Sequence, residues 1–359
     1  MLAEVRAALA GLDGAGNPSS IHRAGWRARA LVEVARAEVA ALVAADEGEV
    51  VLVSGGTEAC QLGVLGLARV ARAQVVVTSA LEHPCVRAAC ARLARGGFDV
   101  REVALGEGGR ISADAVAAAL GADGGLVALS AVNHELGNLT DVAAVAEVAR
   151  ARGALLFVDA VQALGKQEVV RADAVALSAH KIGGPAGVGA LVVRRGVDLA
   201  PELEGGRQER GRRGGTENVA GAVGFGAAAR AARERGVGWT AAIARLRDAL
   251  ESRLLAVAGA RVHGDRAARD AGTLNLGFAG APGDVVVQAL DLEGVCASTG
   301  AACSSGTLEP SPVVSAIAGV AAAREAVRLS LGWATTAEEV DRVAEMIPRI
   351  VQRVRAAYA

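Results

Sequence analysis

The sequence predicts an α/β fold on an open, mainly parallel sheet, followed by a smaller α+β unit. Three observations carry this expectation. Short β-branched runs alternate with Ala-rich helical stretches through the first two thirds of the chain, the rhythm of strand–helix–strand units. Past Arg195 that rhythm gives way to long helices and brief, isolated strands. The 359 residues exceed the roughly 250–300 at which a single core stops growing, so two domains are expected. We place a large α/β domain at 17–230 and a smaller domain at 231–359, packed with residues 1–16.

Taken in order, Leu2, Val5 and Leu9 keep helical spacing with no capping residue before them, so Met1 reads as opening mid-helix. Residues of the same molecule are therefore expected ahead of Met1. Strands are expected at Val50–Val53, Gln74–Ser79, Val100–Val103, Leu126–Ala131, Ala154–Val158, Ala174–Ser178 and Gly189–Val193. Helices fall between them at Glu58–Arg72, Pro84–Arg95 and Asp141–Arg152, the last with Asp141 as N-cap. A Gly/Arg-rich loop, Gly205–Gly215, leads into helices over Val219–Arg235 and Trp239–Ala258. Short strands follow at Thr273–Phe278, Val295–Ser298 and Val327–Leu331. The final helix opens on the capping box Thr336-Ala-Glu-Glu339 and runs to about Ala356.

Composition narrows the function classes. With 21% charged and 52% hydrophobic residues the chain is neither disordered nor collagenous. No apolar run reaches the roughly 18 residues needed to span a bilayer. A formal charge of −1 gives no global field for nucleic acid or an anionic membrane. The first residues lack the basic and apolar regions of a signal peptide, so a cytoplasmic location is expected. The five cysteines are odd in number and show no CxxC spacing, which supports neither a disulfide framework nor a zinc site. Of 38 basic residues, Lys166 and Lys181 alone are lysine. Drift of surface lysine to arginine cannot replace a lysine whose amine forms an imine, because a guanidinium stays protonated.

Lys181 stands in Leu177-Ser-Ala-His-Lys-Ile-Gly-Gly-Pro185, where an apolar strand delivers His180 and Lys181 into a glycine turn. Ligands bind at strand ends of α/β sheets, and a Schiff-base lysine needs that rigidity. Asp159 and Gln162 end another strand at the same edge. An aspartate there caps a helix about as often as it acts in chemistry, but beside such a lysine it can keep a pyridine nitrogen protonated. Ser54-Gly-Gly-Thr57 opens a helix after a strand, a turn suited to phosphate, though many such turns bind nothing. His83 follows a third strand. Cys303 lies in the small-residue loop Ala297–Gly306, where an exposed, flexible thiol makes a better nucleophile than Cys60, Cys85 and Cys90 in helical patterns or Cys296 in a short strand, all four expected to be buried. Arg328 interrupts an apolar strand and calls for a carboxylate partner, such as a substrate's. The Arg-rich loop lacks aromatics and carries acidic residues, which favours an anion-binding or subunit-contact loop over RNA binding.

Together these segments resemble the class V pyridoxal-phosphate enzymes, specifically the cysteine desulfurases of iron–sulfur assembly. The resemblance runs from Gly16-Asn-Pro-Ser-Ser-Ile-His22 almost to the C-terminus. It is most specific in Ser-Ala-His-Lys181, in the Gly/Arg loop ending at Thr216, and in Ser-Thr-Gly-Ala-Ala-Cys303 followed by Leu-Glu-Pro-Ser. It implies the aspartate aminotransferase-like fold of pyridoxal-phosphate transferases, with the Cys303 loop on the smaller domain. It further implies Lys181 as the cofactor lysine, His83 as a stacked acid/base, Asp159 on the ring nitrogen and Gln162 on the ring hydroxyl. Gly56, Thr57, Ser178 and His180 would hold the phosphate, joined by Thr216 of a neighbouring subunit, which implies a homodimer. Arg328 and the Asn17 region would take the carboxylate of L-cysteine, and Cys303 would become a persulfide that passes sulfur to an acceptor protein, for iron–sulfur clusters or thio-cofactors.

Two departures stand out. His134 occupies the position of the family's cofactor-contacting asparagine, and the family's leading segment ending in Ala-Thr-Thr is absent ahead of Met1. Rival readings are another class V enzyme, either an aminotransferase or a selenocysteine lyase, and a non-catalytic scaffold. Cys303 argues against simple transamination, and retention of Lys181 argues against a scaffold.

Overall fold

The structure is a computed structural model and describes every residue except 13, 15, 123, 301–308 and 359. Helices α1 (Ala3–Ala10) and α2 (Arg23–Leu42) precede β1 (Val50–Val53). There follow α3 (Gly56–Ala68), β2 (Val75–Thr78), α4 (Pro84–Arg95), β3 (Asp99–Glu102), α5 (Ala113–Leu120), β4 (Gly125–Ser130), α6 (Val142–Ala151), β5 (Ala154–Asp159), β6 (Ala174–Ser178) and β7 (Gly189–Val193). The second unit comprises α8 (Thr240–Leu254), β8 (Ala260–His263), β9 (Thr273–Phe278), α9 (Gly283–Leu292), α10 (Pro312–Arg324), β10 (Ala326–Ser330) and α11 (Ala337–Tyr358), reached through α7 (Val219–Arg235).

Among the described residues seven strands form one sheet in the order β1-β7-β6-β5-β4-β2-β3. Strands β2 to β6 run parallel, while β7 is antiparallel to both β6 and β1. Two reversals restore direction, so the C-terminal end of β1 lies at the same edge as those of β2, β4, β5 and β6. The register fixes this, because Val53 and Ser178 both pair with Gly189.

Side-chain alternation sends successive strand residues into two cores. Val50 and Leu52 pack with α2 and α7, whereas Val51 and Val53 pack with α3. Covering both faces explains why the strands read as continuous apolar runs. A third core joins α8, α9 and α11 to β9 and β10, and a small fourth one sets Leu81 and Leu136 against Val313 and Val314, linking the two units.

Except at residues 295–298, the predicted strands and caps fall where expected to within a residue or two. Asp141 Oδ1 accepts the Ala144 N–H at 3.0 Å, and Thr336 and Glu339 exchange side-chain bonds to each other's backbone N–H. Three expectations are corrected. Val5, in the segment assigned beside the smaller unit, is fully buried in the core under α2 and α7, and the Leu2 N–H donates to Gly183 O at 2.9 Å. Residues 295–298 form no strand. Only Ser298 bridges Arg328, and the flanking Cys296 is exposed rather than buried. Strand β8, too polar to stand out in the sequence, forms the far edge of the three-stranded sheet β10-β9-β8.

Candidate active site

Five strand ends converge on one edge of the large sheet. After β1, α3 begins at Gly56, and the N–H groups of its first turn have no helical acceptor, leaving positive potential there. A Cβ on Gly56 would lie 3.0 Å from Val161 and 3.3 Å from Ser178, so β6 and the turn after β5 close against it. Ser178 Oγ meets His180 Nδ1 at 2.9 Å. Burial, then the Lys181 charge, lowers the His180 pKa, so the ring stays neutral and can donate one hydrogen bond. Lys181 is the next residue, exposed in the short turn Ala179–Ile182 that ends β6.

Asp159 ends β5 in register with Ser130 of β4 and Ala176 of β6. It is 7% exposed, and its Oδ1 accepts the Val161 N–H at 3.0 Å, which fixes the carboxylate. His83 follows β2 as the N-cap of α4. Its Nδ1 accepts the Cys85 N–H at 3.3 Å and lies 2.9 Å from Cys85 Sγ. The His83 and His134 rings meet edge to face, with centroids 4.9 Å apart and planes at 69°. His134 Nε2 lies 3.5 Å from Glu135 Oε1, and its carbonyl accepts Arg328 Nη1 at 2.8 Å. Arg328 stands mid-strand in β10, opposite Asn275, so this bond ties the smaller sheet to the strand-end cluster.

Gln162 Oε1 accepts from Lys166 Nζ at 3.3 Å. The second lysine is thus one hydrogen bond from a predicted site residue rather than remote from it. Asn17 Oδ1 caps its own turn through the Ser19 N–H, at 2.9 Å. Thr216 is exposed at the end of the Arg-rich loop, in a cavity with Ser54 and Asn218. Among the described residues no hydrogen bond joins Asn17 or Thr216 to the His83–Asp159 group. Cys303 lies outside the described residues. The segment that carries it is bracketed by two contacts to Glu135. The Ser311 hydroxyl donates to Glu135 Oε2, and a Cβ on Gly300 would lie 2.3 Å from the same oxygen.

The loop Gly205–Gly215 is built, as expected of a structured loop. Glu209 is buried within it and accepts Arg36 Nη1 and Nη2 at 2.7 and 2.9 Å and the Leu52 N–H at 2.9 Å. Glu209 and Arg210 take positive φ values of 45° and 59°, strain that these bonds offset.

Sequence reasoning missed four neighbours of the cluster. Cys60 and Cys85 fill core positions as expected, yet their sulfurs and an Asp159 carboxylate oxygen lie within 4.8 Å of one another. Glu82 is 1% exposed, and burial, reinforced by the Asp159 charge, pushes its carboxyl up to about 8. Glu135 was the fourth. Adjacency to His83 and His134 was the available signal for Glu82, Cys85 and Glu135; nothing local marks Cys60.

The donor set fits pyridoxal phosphate. A helix N-terminus with Ser178 and His180 suits the phosphate, a buried carboxylate suits a pyridinium nitrogen, and Lys181 supplies the amine.

Residues 4–343 match the family described as Aminotransferase class-V. A cysteine desulfurase of Cereibacter sphaeroides is 43% identical over 350 residues, covering 95% of this chain and 90% of its own. One from a Nostoc strain is 40% identical over 351 residues, covering 95% and 87%. A solved NifS-like protein superposes with a TM-score of 0.90 at 29% identity, covering 98% of this chain and 96% of its own.

Proposed function

The chain belongs to the class-V aminotransferase family, and from that premise we propose that it is a pyridoxal-phosphate-dependent cysteine desulfurase. It converts L-cysteine to L-alanine and holds the released sulfur as a persulfide on Cys303. The observation that carries this reading is the meeting of Lys181, Asp159 and His83 at one sheet edge, in a chain whose relatives bear that activity. The bound cofactor supplies an electron sink for the substrate Cα.

Each group of the protein has a task that its placement supports. The first turn of α3 with Gly56, Thr57, Ser178 and His180 grips the phosphate. Asp159 would serve a pyridinium nitrogen with its buried carboxylate, and Gln162 and His134 would serve the ring hydroxyl. Lys181 would supply the amine that holds the cofactor. Arg328 pairs with the substrate carboxylate, assisted by the Asn17 region. His83 exchanges protons through Nε2, because Nδ1 is turned toward Cys85 at the start of α4. The Cys303 thiolate attacks the substrate Sγ. A sulfur–sulfur bond forms, the Cβ–Sγ bond breaks with its electron pair left on the substrate, and Cβ takes a proton to give alanine.

A homodimer supports the role of Thr216, which reaches the phosphate of the neighbouring subunit from the loop that Arg36 anchors. We assign the cofactor to a large unit and the Cys303 segment to a smaller one. The persulfide is passed in the cytoplasm to an acceptor protein for iron–sulfur or thio-cofactor assembly. No helix among the described residues is long and apolar enough to cross a membrane.

The test is to incubate the holoenzyme with L-cysteine and quantify alanine and protein-bound persulfide together. Alanine and persulfide should appear in equal amounts in the first turnover, with the extra sulfur mapped to Cys303. In Cys303→Ser the cofactor should stay bound and the persulfide vanish. A keto acid in place of alanine, or unchanged sulfide from Cys303→Ser, overturns the reading.

A further inference from the structure

We propose that Cys60 and Cys85 are a peroxide-responsive redox pair that closes reversibly to a disulfide against the walls of the active site. Cys60 projects from the second turn of α3 and is fully buried; Cys85 sits in the first turn of α4 and is 9% exposed. Their sulfurs and an Asp159 oxygen lie within 4.8 Å of one another. A sulfur–sulfur bond is about 2 Å long, so the gap to close is under about 3 Å. Rotating one cysteine χ1 by a third of a turn moves its sulfur by about 3 Å, a displacement of the same size as the gap.

The surroundings divide the work between the two thiols. Contact with Cys60, then with His83 Nδ1 at 2.9 Å, lowers the Cys85 pKa against the opposing effect of burial. The same Cys60–Cys85 contact, with burial and the Asp159 charge, holds Cys60 protonated. Cys85, the more exposed of the two, in the first turn of α4 and 2.9 Å from His83 Nδ1, is therefore the attacking thiolate, and the fully buried Cys60 the resolving thiol. In the first step the Cys85 thiolate attacks one oxygen of hydrogen peroxide, the O–O bond breaks, and Cys85 sulfenic acid and hydroxide form. In the second, the Cys60 sulfur attacks the Cys85 sulfur, a sulfur–sulfur bond forms, and the sulfenic oxygen leaves as water with the Cys60 proton. Each sulfur is oxidised by one electron, and the peroxide is reduced by two. Cys90, one turn beyond Cys85 on α4, is pushed up to about 11 by burial and stays a thiol.

The bond would tie α3, which begins at Gly56 and Thr57, to the turn that carries His83. It would also consume the thiol that faces His83 Nδ1. The inference goes beyond the proposed function, since the crosslink can be read without any turnover.

The experiment exposes the holoenzyme to hydrogen peroxide, blocks remaining thiols with an alkylating reagent, and maps peptides without reduction. A linked peptide pair containing Cys60 and Cys85 is expected, and dithiothreitol should separate it. Cysteine turnover should fall in proportion to the linked fraction and return on reduction. In Cys60→Ala the same treatment should carry Cys85 on to sulfinic acid, because its resolving partner is gone. The proposal is overturned if Cys60 and Cys85 are both recovered alkylated while Cys296 or Cys303 is oxidised, or if Cys85 pairs with another cysteine.

Discussion

The hydroxyl of Ser311, at the N-cap of α10, donates to the buried carboxylate of Glu135, 176 residues earlier in the chain. Glu135 adjoins His134, so one residue braces both the rim of the cofactor site and the far end of the Cys303 segment. Glu135→Ala should leave cofactor bound while slowing persulfide formation. Stability should fall by about 1.5–3 kcal/mol, as expected for losing a hydrogen bond to a buried charge. Urea unfolding and a single-turnover persulfide assay read the two effects. Equal persulfide rates in parent and variant would remove Glu135 from the positioning of Cys303.

Lys181→Ala should abolish covalent attachment of the cofactor, leaving it held by the phosphate contacts at Gly56, Ser178 and His180. Borohydride reduction followed by peptide mapping checks this directly. Lys166 is the informative control, because its hydrogen bond to Gln162 puts a second amine beside the site. Label on Lys166 in the parent protein contradicts the assignment of Lys181.

Glu82 should set part of the pH dependence of stability. Its carboxyl is near 8 in the fold against 4.5 when exposed. Below 4.5 both states are protonated and nothing is lost. As pH rises toward 8 the unfolded chain ionises while the fold keeps its proton, so stability declines by on the order of 1.4 kcal/mol per pH unit. Glu82→Gln should flatten this decline and exceed the parent in stability at pH 8 but not at pH 4. Parallel pH–stability curves for the two proteins refute it.

Arg36→Met should destabilise the protein by about 3–5 kcal/mol, since it strands the buried Glu209 carboxylate. The strained loop at Glu209 and Arg210 should then relax and release Thr216 from its contact across the proposed dimer. Sedimentation is expected to show weaker association and spectroscopy poorer cofactor retention at low protein concentration. Full association in a destabilised variant would separate the loop from the dimer.

The sheet, its direction and most strand-end residues were legible because each strand is a local run of apolar, β-branched residues and each motif is contiguous. What was illegible depends on residues far apart in sequence. Nothing near Glu209 indicates that its partner is Arg36, 173 positions away. Cys60 and Cys85 look like two unrelated core residues until α3 and α4 pack together. The error at Cys296 has a local cause. A valine beside it suggested a strand, but β10 offers that segment a single bridge at Ser298, and Cys296 meets solvent.

The two reversals at β7 also set the order in which the molecule can assemble. Among the described residues strand β1 has β7 as its only sheet neighbour, and its pairing runs from Val50–Val192 to Val53–Gly189. Helices α1 and α2 likewise find their long-range support on α7. At 5–20 residues per second of synthesis, the first strand waits roughly 7–28 s for its partner to emerge. During that interval Val50–Val53 is an apolar, unpaired edge, open to non-native pairing. The turn at the start of α3, where we propose the phosphate binds, cannot be framed by Ser178 until β6 too has emerged. The proposed cofactor site is therefore complete only once this long-range pairing has formed.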